Sequence, residues 1–209
     1  MKVMVVDDEP DIVELLLLML EGPDYEVITT HSGSGCLEKL EQDIPDLILL
    51  DLIMPELDGW EVLARIRKDD RLKSIPVIIL TAKQLTADVV RKKARYITEY
   101  LVKPLTKEGL ISVIEDITSS SKKLSEFITA ARNAGVDQEM IDRYAQLDQQ
   151  TSTYRRLHIS LMQIYTKKIL KEEGPARNTM RSIERFIDLQ ERNLAELHAK
   201  IEELINASS

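Results

Sequence analysis

The chain has 209 residues, 44% apolar and 31% charged, which suits one to two soluble globular domains. Its net charge of −8 belongs to the first half. Residues 1–120 carry 14 Lys+Arg against 23 Asp+Glu, while residues 121–209 carry 14 against 13, so bulk nucleic-acid affinity is excluded for the first half. The single cysteine, Cys36, excludes an internal disulfide and fits a cytoplasmic protein; Asp7-Asp8-Glu9 comes too early for a signal peptide, and Leu15 to Leu20 is too short to span a membrane.

Val3-Met4-Val5-Val6 predicts a fully buried strand, followed by a helix over 11–21 that stops at Gly22-Pro23. A second strand falls at 25–29 and a second helix at 33–42, which Pro45 bars from extending. The third strand is Leu47 to Leu50, closed by Asp51, and a third helix covers 59–68. The fourth strand is 76–80, with a helix near 87–94. The fifth is 100–102, and Thr106 is the N-cap candidate of the next helix. These strands are continuously apolar rather than alternating, so both sheet faces are covered. Five βα units in that rhythm predict a five-stranded, doubly wound parallel sheet over residues 1–118.

Beyond Ser119-Ser120-Ser121 only helical patterns remain. A linker with a short helix is expected over 119–137, ending at Gly135. Asp137 is an N-cap for a long helix reaching about Glu173, and Gly174-Pro175 separates it from a second long helix ending near Asn206. Residues 138–209 therefore read as an all-α helical hairpin. Met180, Ile183, Ile187, Gln190, Leu194, Leu197, Ile201 and Leu204 are spaced 3-4-3-4-3-4-3, an a/d seam with one polar member. The preceding helix carries two rows: Leu147, Tyr154 and Leu161, and Tyr144, His158 and Tyr165. That is more apolar surface than a hairpin can cover, so the expectation is a homodimer through these helices.

Asp7-Asp8, Asp51, Thr81 and Lys103-Pro104 all fall after the carboxyl ends of predicted strands, the edge where open parallel sheets bind ligands. Together with the loop Leu52-Ile53-Met54-Pro55-Glu56-Leu57-Asp58-Gly59 they resemble the receiver domain of two-component response regulators. The resemblance covers roughly the first 118 residues. It implies that Asp51 accepts a phosphoryl group from a sensor histidine kinase. Asp8, Asp51 and the Ile53 carbonyl would hold Mg²⁺ directly and Asp7 through water, a hard all-oxygen set. Lys103 would supply a second positive charge, Thr81 a hydroxyl to the phosphoryl group, and Tyr100 would rotate inward on activation. The Lys103-Pro104 bond would be cis. The chain would be no enzyme beyond its own phosphorylation and dephosphorylation. Two positions depart from the family: Tyr96 stands where a glycine is usual before the fifth strand, and the apolar Ile53 flanks the path of an attacking water.

The second half resembles no family clearly. One reading is a dimerising helical output that signals to a protein partner. Another is contact with DNA through Lys167, Lys168, Lys171, Arg177, Arg181 and Arg185 at the hairpin tip, although the long helices do not suit a helix-turn-helix. A third, phosphotransfer through His158, is disfavoured, because that histidine has no acidic neighbour in sequence.

Overall fold

The computed structural model of the chain describes residues 1–82, 96–164 and 175–208. The elements are β1 (Lys2–Val6), α1 (Pro10–Met19), β2 (Glu26–Thr30), α2 (Gly33–Gln42), β3 (Leu47–Asp51), α3 (Gly59–Lys68), β4 (Val77–Thr81), β5 (Glu99–Val102), α4 (Lys107–Asn133), α5 (Gln138–Ile164) and α6 (Pro175–Ala207). Contacts divide the chain into two units: Met1–Leu85 with Tyr96–Val113, and Thr86–Arg95 with Ile114–Ser209. The helix expected near 87–94 and the loop around Gly174 lie outside the described residues.

In the first unit all five strands are parallel, in the order β2-β1-β3-β4-β5. β1, β3 and β4 are interior strands buried on both faces, which is why Val3 to Val6, Leu47 to Leu50 and Val77 to Leu80 are continuous apolar runs. α2, α3 and α4 start where a side chain satisfies a free N–H group, whereas α1 starts on Pro10 without a side-chain cap. Ser32 caps α2 through the Gly35 amide at 3.1 Å, and Asp58 caps α3 through the Glu61 amide at 2.8 Å. The Thr106 hydroxyl takes the Gly109 amide at 3.1 Å.

The second unit is built differently from the expected hairpin. α4 runs without a break through Ser119-Ser120-Ser121, so that stretch is helix rather than linker. Serine is an indifferent helix former and not a breaker; Thr118 meanwhile bonds back to the Ile114 carbonyl at 2.8 Å, as a hydroxyl inside a helix can. The true stop comes at Gly135, whose φ of 75° suits glycine. The Gly135 and Val136 amides close on Arg132 and Ala131 at 3.0 Å each. Asp137 then caps α5 through the amides of Glu139 and Met140.

α5 and α6 are antiparallel. Tyr144 meets His198, Tyr154 meets Phe186, Arg155 meets Glu191 and His158 meets Glu184, so partners climb one helix as they descend the other. The later part of α4 forms the third side: Phe127 stacks on His198 at 4.4 Å and lies 4.7 Å from Tyr144. Ala131, Val136, Ile141, Tyr144 and Ile201 form the core of this three-helix bundle.

This arrangement corrects the expected dimer seam. Met180, Ile183, Ile187 and Ile201 are buried inside the single chain, and Leu194 and Leu197 pack part-buried against its core; only Leu204 is exposed. The surplus apolar surface of a two-helix reading is met, in part, by the third helix. The heptad pattern is an intrachain seam.

Candidate functional site

Parallel pairing brings the ends of β1, β3, β4 and β5 to one edge of the sheet, and each donates one side chain there. Asp51 is the last residue of β3, paired with Leu80 of β4. Asp7 follows β1, its amide held by the Thr30 carbonyl at 3.2 Å. Thr81 ends β4, and Lys103 follows β5 with its amide on the Thr81 carbonyl at 3.1 Å. Asp7, Asp51 and Thr81 are buried. The Lys103–Pro104 peptide is cis, as the resemblance implies.

The loop after Asp51 is shaped around that residue. The Ile53 amide donates to Asp51 Oδ2 at 2.5 Å, and the Gly59 amide to the Leu52 carbonyl at 3.1 Å. A Cβ on Gly59 would stand 2.1 Å from the Asp51 carbonyl oxygen, so only glycine lets α3 start there. A Cβ on Gly33 would likewise stand 2.5 Å from the Leu57 carbonyl, which seats the start of α2 against the same loop.

Lys103 ties the site together. Its ammonium lies 2.6 Å from Asp7 Oδ2, 3.0 Å from Asp51 Oδ1 and 3.9 Å from Glu9 Oε1. Burial raises the Asp51 pKa and Asp7 adds to this, against the opposing pull of Lys103 and the Ile53 amide. For Lys103, burial is the largest single influence and lowers its pKa. The bonds to Asp7 and Asp51 together outweigh it, so the ammonium is held above its usual range. In an isolated ion pair the carboxylate would fall as the amine rises. Here one cation is shared by two carboxylates, and its share at Asp51 does not offset burial.

Asp8 does not join them as expected. It is half-exposed, with no hydrogen bond or ion pair among the described residues, and no group of three or more acidic, histidine or cysteine side chains there stands ready to hold a metal. One ammonium against two carboxylates already leaves the site net negative, and a third carboxylate is better placed toward solvent. The donors are nonetheless all oxygen: Asp7 and Asp51 converge on the Lys103 ammonium, and Asp8 is part-exposed beside them. That suits Mg²⁺, which keeps several waters. Tyr100, on the strand that leads to Lys103, is buried at 1% exposure. Sequence reasoning missed His31, whose Nδ1 lies 3.3 Å from the Asp7 carbonyl; its place after β2 was the available signal.

The residues singled out in the second half do not form a comparable site. Arg181 and Arg185 are exposed on α6 and Arg177 is part-buried, while Lys167, Lys168 and Lys171 lie outside the described residues. His158 has an acidic neighbour that its own helix hides: Glu184 of α6, 3.2 Å from Nε2. Among the described residues no helix is long and apolar enough to cross a membrane.

Residues 3–115 match the family model of the response regulator receiver domain, and residues 121–204 match that of Metanogen output domain 2. Protein PilH of Pseudomonas aeruginosa is 33% identical over 116 residues, 56% of this chain and 96% of PilH. The alkaline phosphatase synthesis transcriptional regulatory protein PhoP of Bacillus subtilis is 37% identical over 58% of this chain, which spans half the length of PhoP. Among solved structures, the chemotaxis protein CheY4 of Vibrio cholerae is 30% identical, with a TM-score of 0.51 over 55% of this chain and 96% of its own. The receiver match alone takes in more than half of the sequence, and on that ground the chain belongs to the response regulator receiver family of two-component systems.

Proposed function

We propose that this chain is a cytoplasmic, phosphorylation-dependent response regulator whose helical unit passes the state of Asp51 to a protein partner. The observation that carries this reading is the single ammonium of Lys103 between the buried carboxylates of Asp7 and Asp51. A deeply buried acidic pair is costly to a protein that does not use it.

In the step proposed, an Asp51 carboxylate oxygen attacks the phosphorus of a phosphohistidine on a sensor kinase. The O–P bond of an acyl phosphate forms, and the P–N bond breaks. The electron pair returns to the imidazole nitrogen, which takes up a proton. Asp7, Asp8, Asp51 and the Ile53 carbonyl would hold Mg²⁺, which when bound neutralises charge on the acceptor and the phosphoryl oxygens. Lys103 binds a phosphoryl oxygen from the other side, and the Thr81 hydroxyl donates to another. Water later cleaves the acyl phosphate, and no further catalysis is assigned to the chain.

The test is incubation with a small acyl phosphate donor and Mg²⁺, read by intact mass. One phosphoryl group per chain, lost in Asp51→Asn and on chelation, is expected; an Asp51→Asn protein labelled like the parent refutes the reading. Ile53, 58% exposed two residues after Asp51, guards the approach of water. Ile53→Asn should shorten the acyl phosphate half-life several-fold, and an unchanged half-life removes that role.

A second reading, a DNA-binding output, draws on the exposed Arg181 and Arg185 and on the transcriptional role in the printed name of PhoP. A gel shift that survives Arg181→Ala with Arg185→Ala excludes this face.

A further inference from the structure

Arg67, in the last turn of α3, is a buried cation that the proposed mechanism leaves unused. Its Nε donates to the Tyr96 carbonyl at 2.8 Å, and its Nη1 to the carbonyls of Ile75 at 2.8 Å and Lys73 at 3.1 Å. Among the described residues it has no carboxylate partner. Burial is strong enough to lower its pKa to about 10. A guanidinium turned wholly onto backbone carbonyls is a fastener, since each of those acceptors would otherwise need water or another donor.

The three carbonyls belong to the two chain segments that enter β4 and β5. Ile75 precedes β4, while Tyr96 precedes β5 where the family usually has a glycine. β5 needs such a fastener. It is an edge strand of four residues, bonded among the described residues to β4 alone. Its register starts at Thr98, whose amide meets the Val77 carbonyl at 2.9 Å and whose hydroxyl takes the Val77 amide at 3.0 Å. It ends where the Lys103 amide meets Thr81. Lys103 reaches Asp7 and Asp51 only while that register holds.

We infer that Arg67 is a positioning residue: by pinning the entry to β5 it sets the place of the Lys103 ammonium at the far edge of the sheet. The part of this that concerns phosphoryl binding rests on the function proposed above; the pinning of β5 does not.

The experiment uses the full chain with Arg67→Met, which keeps the stem and removes the donors, and with Arg67→Lys, which restores a single point donor. Amide hydrogen exchange should speed up roughly tenfold or more at Tyr100 to Lys103 in Arg67→Met, with β1 and β3 unchanged and Arg67→Lys between. Beryllofluoride binding with Mg²⁺, followed by Trp60 fluorescence, should weaken by about tenfold, the equivalent of one or two lost bonds. Equal exchange in β5 overturns the inference. So does β5 loosening with beryllofluoride affinity intact, because Arg67 would then hold the strand without placing Lys103. A parent protein that binds no beryllofluoride refutes the function reading, while the exchange data still decide the pinning. If Arg67→Met does not fold, the parent protein decides: the Arg67 Nε–H and the Lys103 amide should exchange at the same slow rate. A fast Nε–H beside a protected Lys103 amide overturns the inference.

Discussion

The two units solve the problem of buried polarity in opposite ways. The receiver unit puts an ammonium and two carboxylates at the end of a sheet whose interior strands are almost wholly excluded from water. The helical unit keeps its ionic pairs, Arg155–Glu191 and His158–Glu184, partly or fully exposed, and its fully buried polar groups are uncharged: Thr151, Thr153 and the Tyr144 hydroxyl, with Asp148 a half-buried carboxylate whose pKa burial raises. Gln190 Oε1 is its one buried side-chain atom without a partner among the described residues. A buried, incompletely balanced charge is expensive and answers strongly to an added ion, whereas apolar packing answers to shape. The first unit should therefore respond to ligand and the second to substitution size.

That contrast can be broken most sharply in the helical core. Ile201 is fully buried where the three helices meet, and Ile201→Ala should cost about 3 kcal/mol. The only tryptophan, Trp60, lies in the receiver unit, so urea unfolding followed at Trp60 reports that unit, while helical circular dichroism is weighted toward the other by its long helices. Loss of helix should move to lower urea while the Trp60 transition stays put. If both move together, the units unfold as one and the contrast is not thermodynamic. Lys103→Met comes next. It leaves Asp7 and Asp51 facing each other without a cation, at a cost of about 2 kcal/mol, below the usual ~3–5 kcal/mol because Asp51, already raised by burial, can take up a proton. Mg²⁺ should recover stability more in this variant than in the parent. Equal Mg²⁺ responses would mean that the carboxylates do not share a cation site.

How far this division could be read from sequence depends on the kind of partner involved. The strands and the edge bearing Asp7, Asp51, Thr81 and Lys103 were legible because continuous apolar runs ending in polar residues have few other solutions in a parallel sheet. The α6 seam was legible as an apolar stripe, but a stripe does not say whose residues cover it; α4 does, by running on through three serines that resembled a boundary. Arg67 was invisible because its partners are carbonyls, which every residue carries. Asp8 shows a related limit: spacing brings a carboxylate to the edge, and the charge there, any added cation included, decides whether it turns in.

Two smaller effects refine the comparison. Tyr144→Phe removes the 2.9 Å bond to His198 Nδ1 and should cost about 1 kcal/mol, seen only in the helical transition. Glu56 has a φ of 65°, and across it the Leu57 amide donates to the Pro55 carbonyl at 2.8 Å. Glu56→Gly should relieve about 1–2 kcal/mol of backbone strain against about 0.5–1 kcal/mol of added chain entropy. A net gain of about 0.5 kcal/mol in the Trp60 transition is expected, and a loss would mean that the Glu56 side chain contributes more than its backbone strain costs.

The smallest expected effect is none at all, and it tests how tightly the sheet is covered. Cys36 is fully buried in α2, its Sγ 3.8 Å from the Met4 sulfur, and burial pushes the thiol up to about 12 from an ordinary value near 9. At pH 8 the folded chain should leave a thiol reagent unreacted, whereas in urea one thiol per chain should react at once. The linkage has a definite sign. The folded state keeps a proton that the unfolded state releases from about pH 9 upward, so this contribution is complete below pH 9 and is lost as pH rises toward 12. Cys36→Ala should flatten the alkaline limb of the stability curve over that window. Prompt reaction of the folded protein at pH 8 would show that α2 opens from the sheet without unfolding, and the receiver unit would then be the more yielding of the two.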